Sequence, residues 1–166
     1  MSEREMAFQV GDQVIHWVYG LGEIIGLDEK VLSGHSDKYY VVQIRDLTLW
    51  VPLNEKGEHC LRFPTPARDF ENLFRLLSSP GESLSDDRYM RKTQLSDRLN
   101  DGTLESICRV IRDLVSFKRT HRINENDKSI LNRARNFLLD EWCVAFSVPI
   151  QQAEGDLRKL LQTNVI

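Results

Sequence analysis

The chain has 166 residues, room for one domain with a substantial core or two small ones, and with 41% hydrophobic and 28% charged residues its composition is that of a soluble globular protein. A formal charge of -3 argues against a general nucleic-acid binder. Hydrophobic residues do not cluster into a membrane span, and Cys60, Cys108 and Cys143, widely spaced and without a C-x-x-C pair, argue against a disulfide framework or a cysteine-rich zinc site.

The start, Met1-Ser2-Glu3-Arg4-Glu5, is charged and lacks the apolar core of a secretion signal, so the cytoplasm is the expected location. From Phe8 to Arg62 the chain reads as β structure. Gly11-Asp12 opens the first long strand. Gln13-Val14-Ile15-His16-Trp17-Val18 and Glu23-Ile24-Ile25 are rich in β-branched and aromatic residues, and Tyr19-Gly20-Leu21-Gly22 between them predicts a hairpin. Gly26 interrupts the second strand where a small barrel needs a bulge or a bend. Tyr39-Tyr40-Val41-Val42-Gln43-Ile44 and Leu47-Thr48-Leu49-Trp50-Val51-Pro52 flank Arg45-Asp46, a tight connection whose turn type the residues leave open. Four or five strands this short cannot bury one face of a flat sheet. They are expected to close into a Tudor-like or SH3-like barrel ending near residue 64, with Trp17 in its core.

Beyond Arg62 the hydrophobic period lengthens to three or four, which predicts five helices. Thr65-Pro66 reads as cap and first residue of a helix with Phe70, Leu73, Phe74 and Leu77 on one face, ending near Ser78-Ser79-Pro80-Gly81. A second helix runs from about Asp87 to Leu99 and stops at Asn100-Asp101-Gly102. The third starts after Thr103, carries Leu104, Ile107, Cys108, Ile111, Leu114 and Val115 as its buried stripe and ends in basic Lys118, Arg119 and Arg122. Asn124 caps a long fourth helix with Ile130, Leu131, Ala134, Phe137, Leu138, Trp142 and Ala145 on its apolar face. Ser147-Val148-Pro149 breaks it before a last amphipathic helix from about Ile150 to Leu161.

Catalytic chemistry is not written in this chain. His16, His35, His59 and His121 are scattered without metal spacing, adjacent carboxylates such as Asp86-Asp87 and Asp140-Glu141 do not share a helix face, and Gly20-Leu21-Gly22 lacks the rest of a dinucleotide loop. A non-enzyme with no metal and no cofactor is expected. Charge is more informative. Residues 1–66 carry six Lys/Arg against ten Asp/Glu, whereas residues 88–122 carry nine against four. Arg88, Arg91 and Lys92 are spaced to share one surface of the second helix, beside Tyr89. Two readings stand for it: a phosphate-contacting face or a solvated helix face near Asp86, Asp87 and Asp97.

The ordered set Phe8-x-x-Gly11-Asp12-x-Val14-Ile15, Tyr19-Gly20-Leu21-Gly22-x-Ile24, Ser33-Gly34, Tyr39-Tyr40-Val41-Val42, Leu47-Thr48-Leu49-x-Val51-Pro52 and Leu61-Arg62 resembles the RNA-polymerase-interacting domain shared by CarD/CdnL transcription regulators and the transcription-repair coupling factor. Val110-Ile111-Arg112-Asp113-Leu114 and the run Asn126-Asp127-Lys128-Ser129-Ile130-Leu131-Asn132-Arg133-Ala134-Arg135 resemble the helical C-terminal domain of CarD/CdnL proteins. A free-standing barrel followed by helices matches the CarD/CdnL layout.

The resemblance implies an α+β chain, a polymerase-interacting barrel over residues 1–64 and a DNA-binding helical domain over residues 65–166. It further implies contact with the RNA polymerase β subunit lobe by strand pairing and with upstream promoter DNA by the second helix. A monomer with no membrane partner is expected. For polymerase the matching positions are Lys30 and Trp50, the latter where relatives carry arginine. Trp50 is either an interface anchor or packed on the barrel. For DNA they are Arg88, Tyr89, Arg91 and Lys92. Arg88 stands where relatives place a tryptophan wedge. Arg88 could enter the minor groove by charge, Tyr89 could replace the wedge, or the chain could bind polymerase without the wedge activity.

Overall fold

The computed structural model describes residues 6–162. Two compact units divide it, Met1–Pro64 and Thr65–Ile166. The first holds β1 (Gln13–His16), β2 (Gly20–Leu32), β3 (His35–Ile44), β4 (Leu47–Pro52), a short helix α1 (Glu55–Glu58) and β5 (Leu61–Arg62). All pairings are antiparallel, in the order β4-β3-β2-β1-β5. Backbone geometry sets the register. Ser33 and Gly34 both take positive φ, 52° and 81°, the left-handed pair that a two-residue hairpin between right-twisted strands requires. The β2–β3 pairing slips between Ile24 and Gly26, which is the bulge that Gly26 predicts. Arg45, at φ 55°, makes the tight β3–β4 turn without a glycine.

β1 is shorter than its apolar run. It ends at His16, Trp17–Tyr19 form the turn, and Gly20 at φ 90° already begins β2. The expectation that Trp17 is core is therefore corrected: it is 45% exposed, and His16 takes the buried position beside it. Phe8, Val14, Ile24, Tyr40, Val42, Ile44, Val51 and Leu61 form one core inside the sheet. Tyr40 Oη donates to Glu58 Oε1 at 3.1 Å and so ties α1, which periodicity did not foretell, to that core.

In the second unit a 3-10 turn, Ala67–Asp69, precedes α2 (Phe70–Ser78). The helix begins later than Pro66 because Thr65 does not cap it; its N–H and Oγ1 donate instead to Glu141 Oε1, at 3.0 and 3.1 Å. The remaining helices are α3 (Arg88–Asn100), α4 (Leu104–Thr120), α5 (Glu125–Phe146) and α6 (Ile150–Gln162). Three of them start where the sequence places them, and the side chains of Asp87, Thr103 and Asn124 cap them, Asn124, the expected cap, with Asp127 in a reciprocal capping box. α5 ends on Ser147 in the left-handed conformation. Phe70, Leu77, Leu95, Ile111, Leu114, Leu138 and Leu157 lie at the heart of a single apolar core. The architecture is thus an antiparallel Tudor-like sheet followed by a helical domain.

Candidate functional site

On the barrel, Lys30 and Trp50 come together although twenty residues separate them. Trp50 is on β4 and Lys30 on β2, with β3 between; Val41 pairs with Trp50, and Tyr39 with Asp28. Side chains at paired positions share a face, so Trp50, Asp28, Lys30 and Tyr39 all stand on the outer side of the sheet, away from the core residues Tyr40 and Val42. The indole lies back across β3. Its Nε1 donates to Asp28 Oδ2 at 2.9 Å, and the Lys30 ammonium sits 4.4 Å from the indole centroid and 5.8 Å from that of Tyr39. Trp50 is still 44% exposed. The result is an ordered aromatic platform with a cation on it, desolvated little enough to be met by a partner. β4 is also terminal in the sheet order, so its outer edge pairs with no other strand among the described residues.

On the helical unit, Asp87 Oδ1 accepts from the N–H groups of Tyr89 and Met90, at 2.9 and 3.0 Å, and so starts α3 with these side chains in the first turn. The Arg88 guanidinium lies 4.8 Å from the Tyr89 ring centroid while its Nη2 donates to Tyr89 Oη at 2.9 Å. Tyr89 and Met90 are 67% and 66% exposed, and Arg88 and Lys92 lie in the open as well. Spacing brings Arg88 and Lys92 to one face, as predicted.

Arg91 does not join them. It is 4% exposed, and its Nε and Nη2 donate to Asp127 Oδ1 and Oδ2 at 3.0 and 2.9 Å, which takes it off the exposed face of the helix. The physical reason is its place on the helix: Arg91, Leu95 and Leu99 follow one another at intervals of four and are all buried. That stripe was the available signal. Met90 is the exposed apolar residue that charge-based reading missed; it lies off the Arg91-Leu95-Leu99 stripe, which is the sign of an outward position.

Other charges of the basic segment are also committed within the unit. Arg98 Nη1 is 2.5 Å from Asp113 Oδ2, Arg112 Nε is 2.9 Å from Asp113 Oδ1, and Arg109 pairs with Glu105 at 2.9 Å. Burial raises the Cys108 thiol far above its usual range, and no cysteine is bridged to another. Among the described residues no group of three or more His, Cys, Asp or Glu side chains is arranged to hold a metal ion, and no helix is long and apolar enough to cross a membrane.

Comparison with known proteins agrees with this two-part layout. The family model for the CarD-like/TRCF RID domain matches residues 8–62, and that for the CarD C-terminal domain matches residues 72–158, more than half of the chain. A Bacillus subtilis (strain 168) protein named "Putative transcription factor YdeB" is 26% identical over 140 residues, which cover 81% of this chain and 89% of that protein. The RID match falls on the sheet with the Trp50 platform, the C-terminal match on the helices with the Arg88 face, and the chain belongs to the CarD family, a transcription-factor family and not a family of enzymes.

Proposed function

We propose that this protein regulates transcription initiation by binding RNA polymerase through its barrel and upstream promoter DNA through its helical unit. A partner strand from the polymerase β subunit lobe pairs with the open edge of β4, and Trp50 with Lys30 anchors it from the outer face. The observation that carries the reading is the Lys30–Trp50 contact beside an unpaired edge strand, since it unites both expected polymerase residues in one place. Arg88 and Lys92 then contact phosphates, with Tyr89 against the distorted duplex. A barrel held on the polymerase raises the effective concentration of a weak DNA-binding helix, so an acidic chain with few open cations on that helix can still engage the promoter and change open-complex stability. In this reading the protein works as a cytoplasmic monomer.

A second reading keeps polymerase binding and drops DNA. Burial of Arg91 favours it, because it leaves the second helix with fewer open cations than its sequence suggests. Binding to polymerase on a promoter with a pre-melted upstream bubble, measured across a salt series, separates the two. Trp50→Ala is expected to weaken binding to free polymerase by more than about tenfold. Arg88→Ala/Lys92→Ala should leave that step intact but lower promoter affinity and reduce the salt slope by about one per lost phosphate contact. Equal promoter binding by this variant and the wild type would leave only the polymerase module.

A further inference from the structure

The connection from α2 to α3 has little apolar material to define its path. Between Ser79 and Asp87 the one buried side chain is Leu84; the rest are polar residues, Pro80 and Gly81. Hydrogen bonds must therefore set its course. Arg91 supplies two of them, both at the end that enters α3. While Nε and Nη2 hold the Asp127 carboxylate at the start of α5, Nη1 donates to the Ser85 carbonyl at 3.0 Å and the Asp86 carbonyl at 3.3 Å. The guanidinium also lies 4.8 Å from the Phe117 ring centroid on α4. One buried fork thus ties the two residues before the α3 cap to the first turn of another helix.

α4 holds the same connection further along. Glu82 N–H donates to Asp113 Oδ1 at 2.9 Å, Arg112 Nη1 donates to Ser79 Oγ at 3.0 Å, and His121 Nε2 is 3.1 Å from Asp86 Oδ1. Gly81 passes so near α4 that an added Cβ would stand 2.5 Å from Ser116 Cβ. Arg88 and Tyr89 follow directly from this clamped segment.

We propose that Arg91 is a positioning residue for promoter DNA: it fixes the chain entering α3, and with it the direction in which Arg88 and Tyr89 leave the helix, without touching DNA itself. The proposal rests on the DNA reading above. A planar guanidinium is needed because it offers donors on two sides at fixed angles; a lysine ammonium keeps the charge but cannot serve the carboxylate and both carbonyls in that geometry.

The test is Arg91→Lys in the full chain, beside Arg88→Ala/Lys92→Ala, binding polymerase on the pre-melted promoter over a salt series. Arg91→Lys should keep its helical circular dichroism and its affinity for free polymerase, yet lose about tenfold in promoter affinity, because a contact surface that must be ordered on binding binds more weakly. Its salt slope should equal the wild type's, since no phosphate contact is removed. Unchanged promoter affinity would overturn the proposal.

Should Arg91→Lys fail to fold, Asp127→Asn decides by sign. Removing a negative charge raises DNA affinity if net charge alone matters, whereas loss of the clamp lowers it. A rise would overturn the positioning role. If Arg88→Ala/Lys92→Ala binds the promoter as the wild type does, the DNA reading falls and this proposal with it. If only the double variant is impaired, the positioning role alone falls.

Discussion

Among the described residues the barrel buries one side chain of the polar and charged classes, His16, while the helical unit buries five charged ones, Arg91, Arg112, Asp113, Asp127 and Glu141. The difference follows from how each kind of element finds its partner. Strands are held in register by a backbone ladder, so the barrel needs only turns, a bulge and an apolar inner face. Helices satisfy their backbone internally and meet through side chains alone, where apolar surfaces of similar shape can slide. Buried charged groups are directional: ion pairs join α3 to α5 and α4, and the Asp113 carboxylate on α4 accepts from a backbone N–H of the α2–α3 connection.

The strongest way to break this comparison is to remove one carboxylate on each side of it. Asp113 is fully buried between Arg98 and Arg112 and also accepts from Glu82 N–H. Asp113→Ala strands two guanidinium groups and a backbone donor, and is expected to cost about 3–5 kcal/mol in urea unfolding. Asp28→Ala on the barrel exterior, where the carboxylate accepts from Trp50 Nε1, should change stability by less than about 0.5 kcal/mol. Similar losses from the two would mean that the helical unit does not depend on its buried charges.

A second test strikes the barrel where it depends on backbone approach. Gly57 lies in α1 against the end of β4, and an added Cβ would stand 1.8 Å from the Pro52 carbonyl oxygen and 2.7 Å from its carbon. Backbone cannot swing aside as a side chain can. Gly57→Ala is expected to cost about 2 kcal/mol, read as a lower midpoint of the barrel's unfolding transition. A silent substitution would show that α1 is only loosely joined to the strands.

These contrasts explain what was legible in the chain. Period-two runs and Gly26 announced the sheet and its bulge, and Asp87, Thr103 and Asn124 announced helix starts, because caps and turns are local chemistry; the Ser33-Gly34 turn between β2 and β3 was not read from the residues. Trp17 was misread since hydrophobicity alone does not show where a strand stops and its turn begins. Lys30 and Trp50 were each named, but their contact spans three strands and depends on the final register. Arg91 was misplaced because its partner is 36 residues away. The same stripe argument that would have placed Arg91 applies to Asp127, Glu141 and Asp113, which occupy apolar positions of α5 and α4; a charged residue inside a hydrophobic period predicts a buried pair, though not the identity of its mate.

The smallest expected effect concerns His16, the barrel's counterpart to the buried charges. Its Nδ1 accepts from the N–H groups of Val18 and Tyr19, at 3.1 and 3.3 Å, and its ring packs on Trp17 and Tyr19, with centroids 6.3 and 5.1 Å away. An Nδ1 that accepts must be unprotonated, and burial holds the imidazole pKa below its ordinary 6.5. The sign of the pH dependence follows. Well above 6.5 both folded and unfolded histidine are neutral and stability does not respond. As pH falls through 6.5 toward the lower folded value, the unfolded chain takes up a proton that the folded barrel refuses, so stability falls; below the folded value both are protonated and the loss levels off. His16→Asn retains a carbonyl acceptor near the Nδ1 position and cannot titrate. Between about pH 7.5 and about pH 5.5 the wild-type barrel should lose more stability than this variant, followed by fluorescence of the exposed Trp17. Equal losses would assign the acid sensitivity to other groups, and would leave the barrel with no titratable counterpart to the charge pairs inside the helical unit.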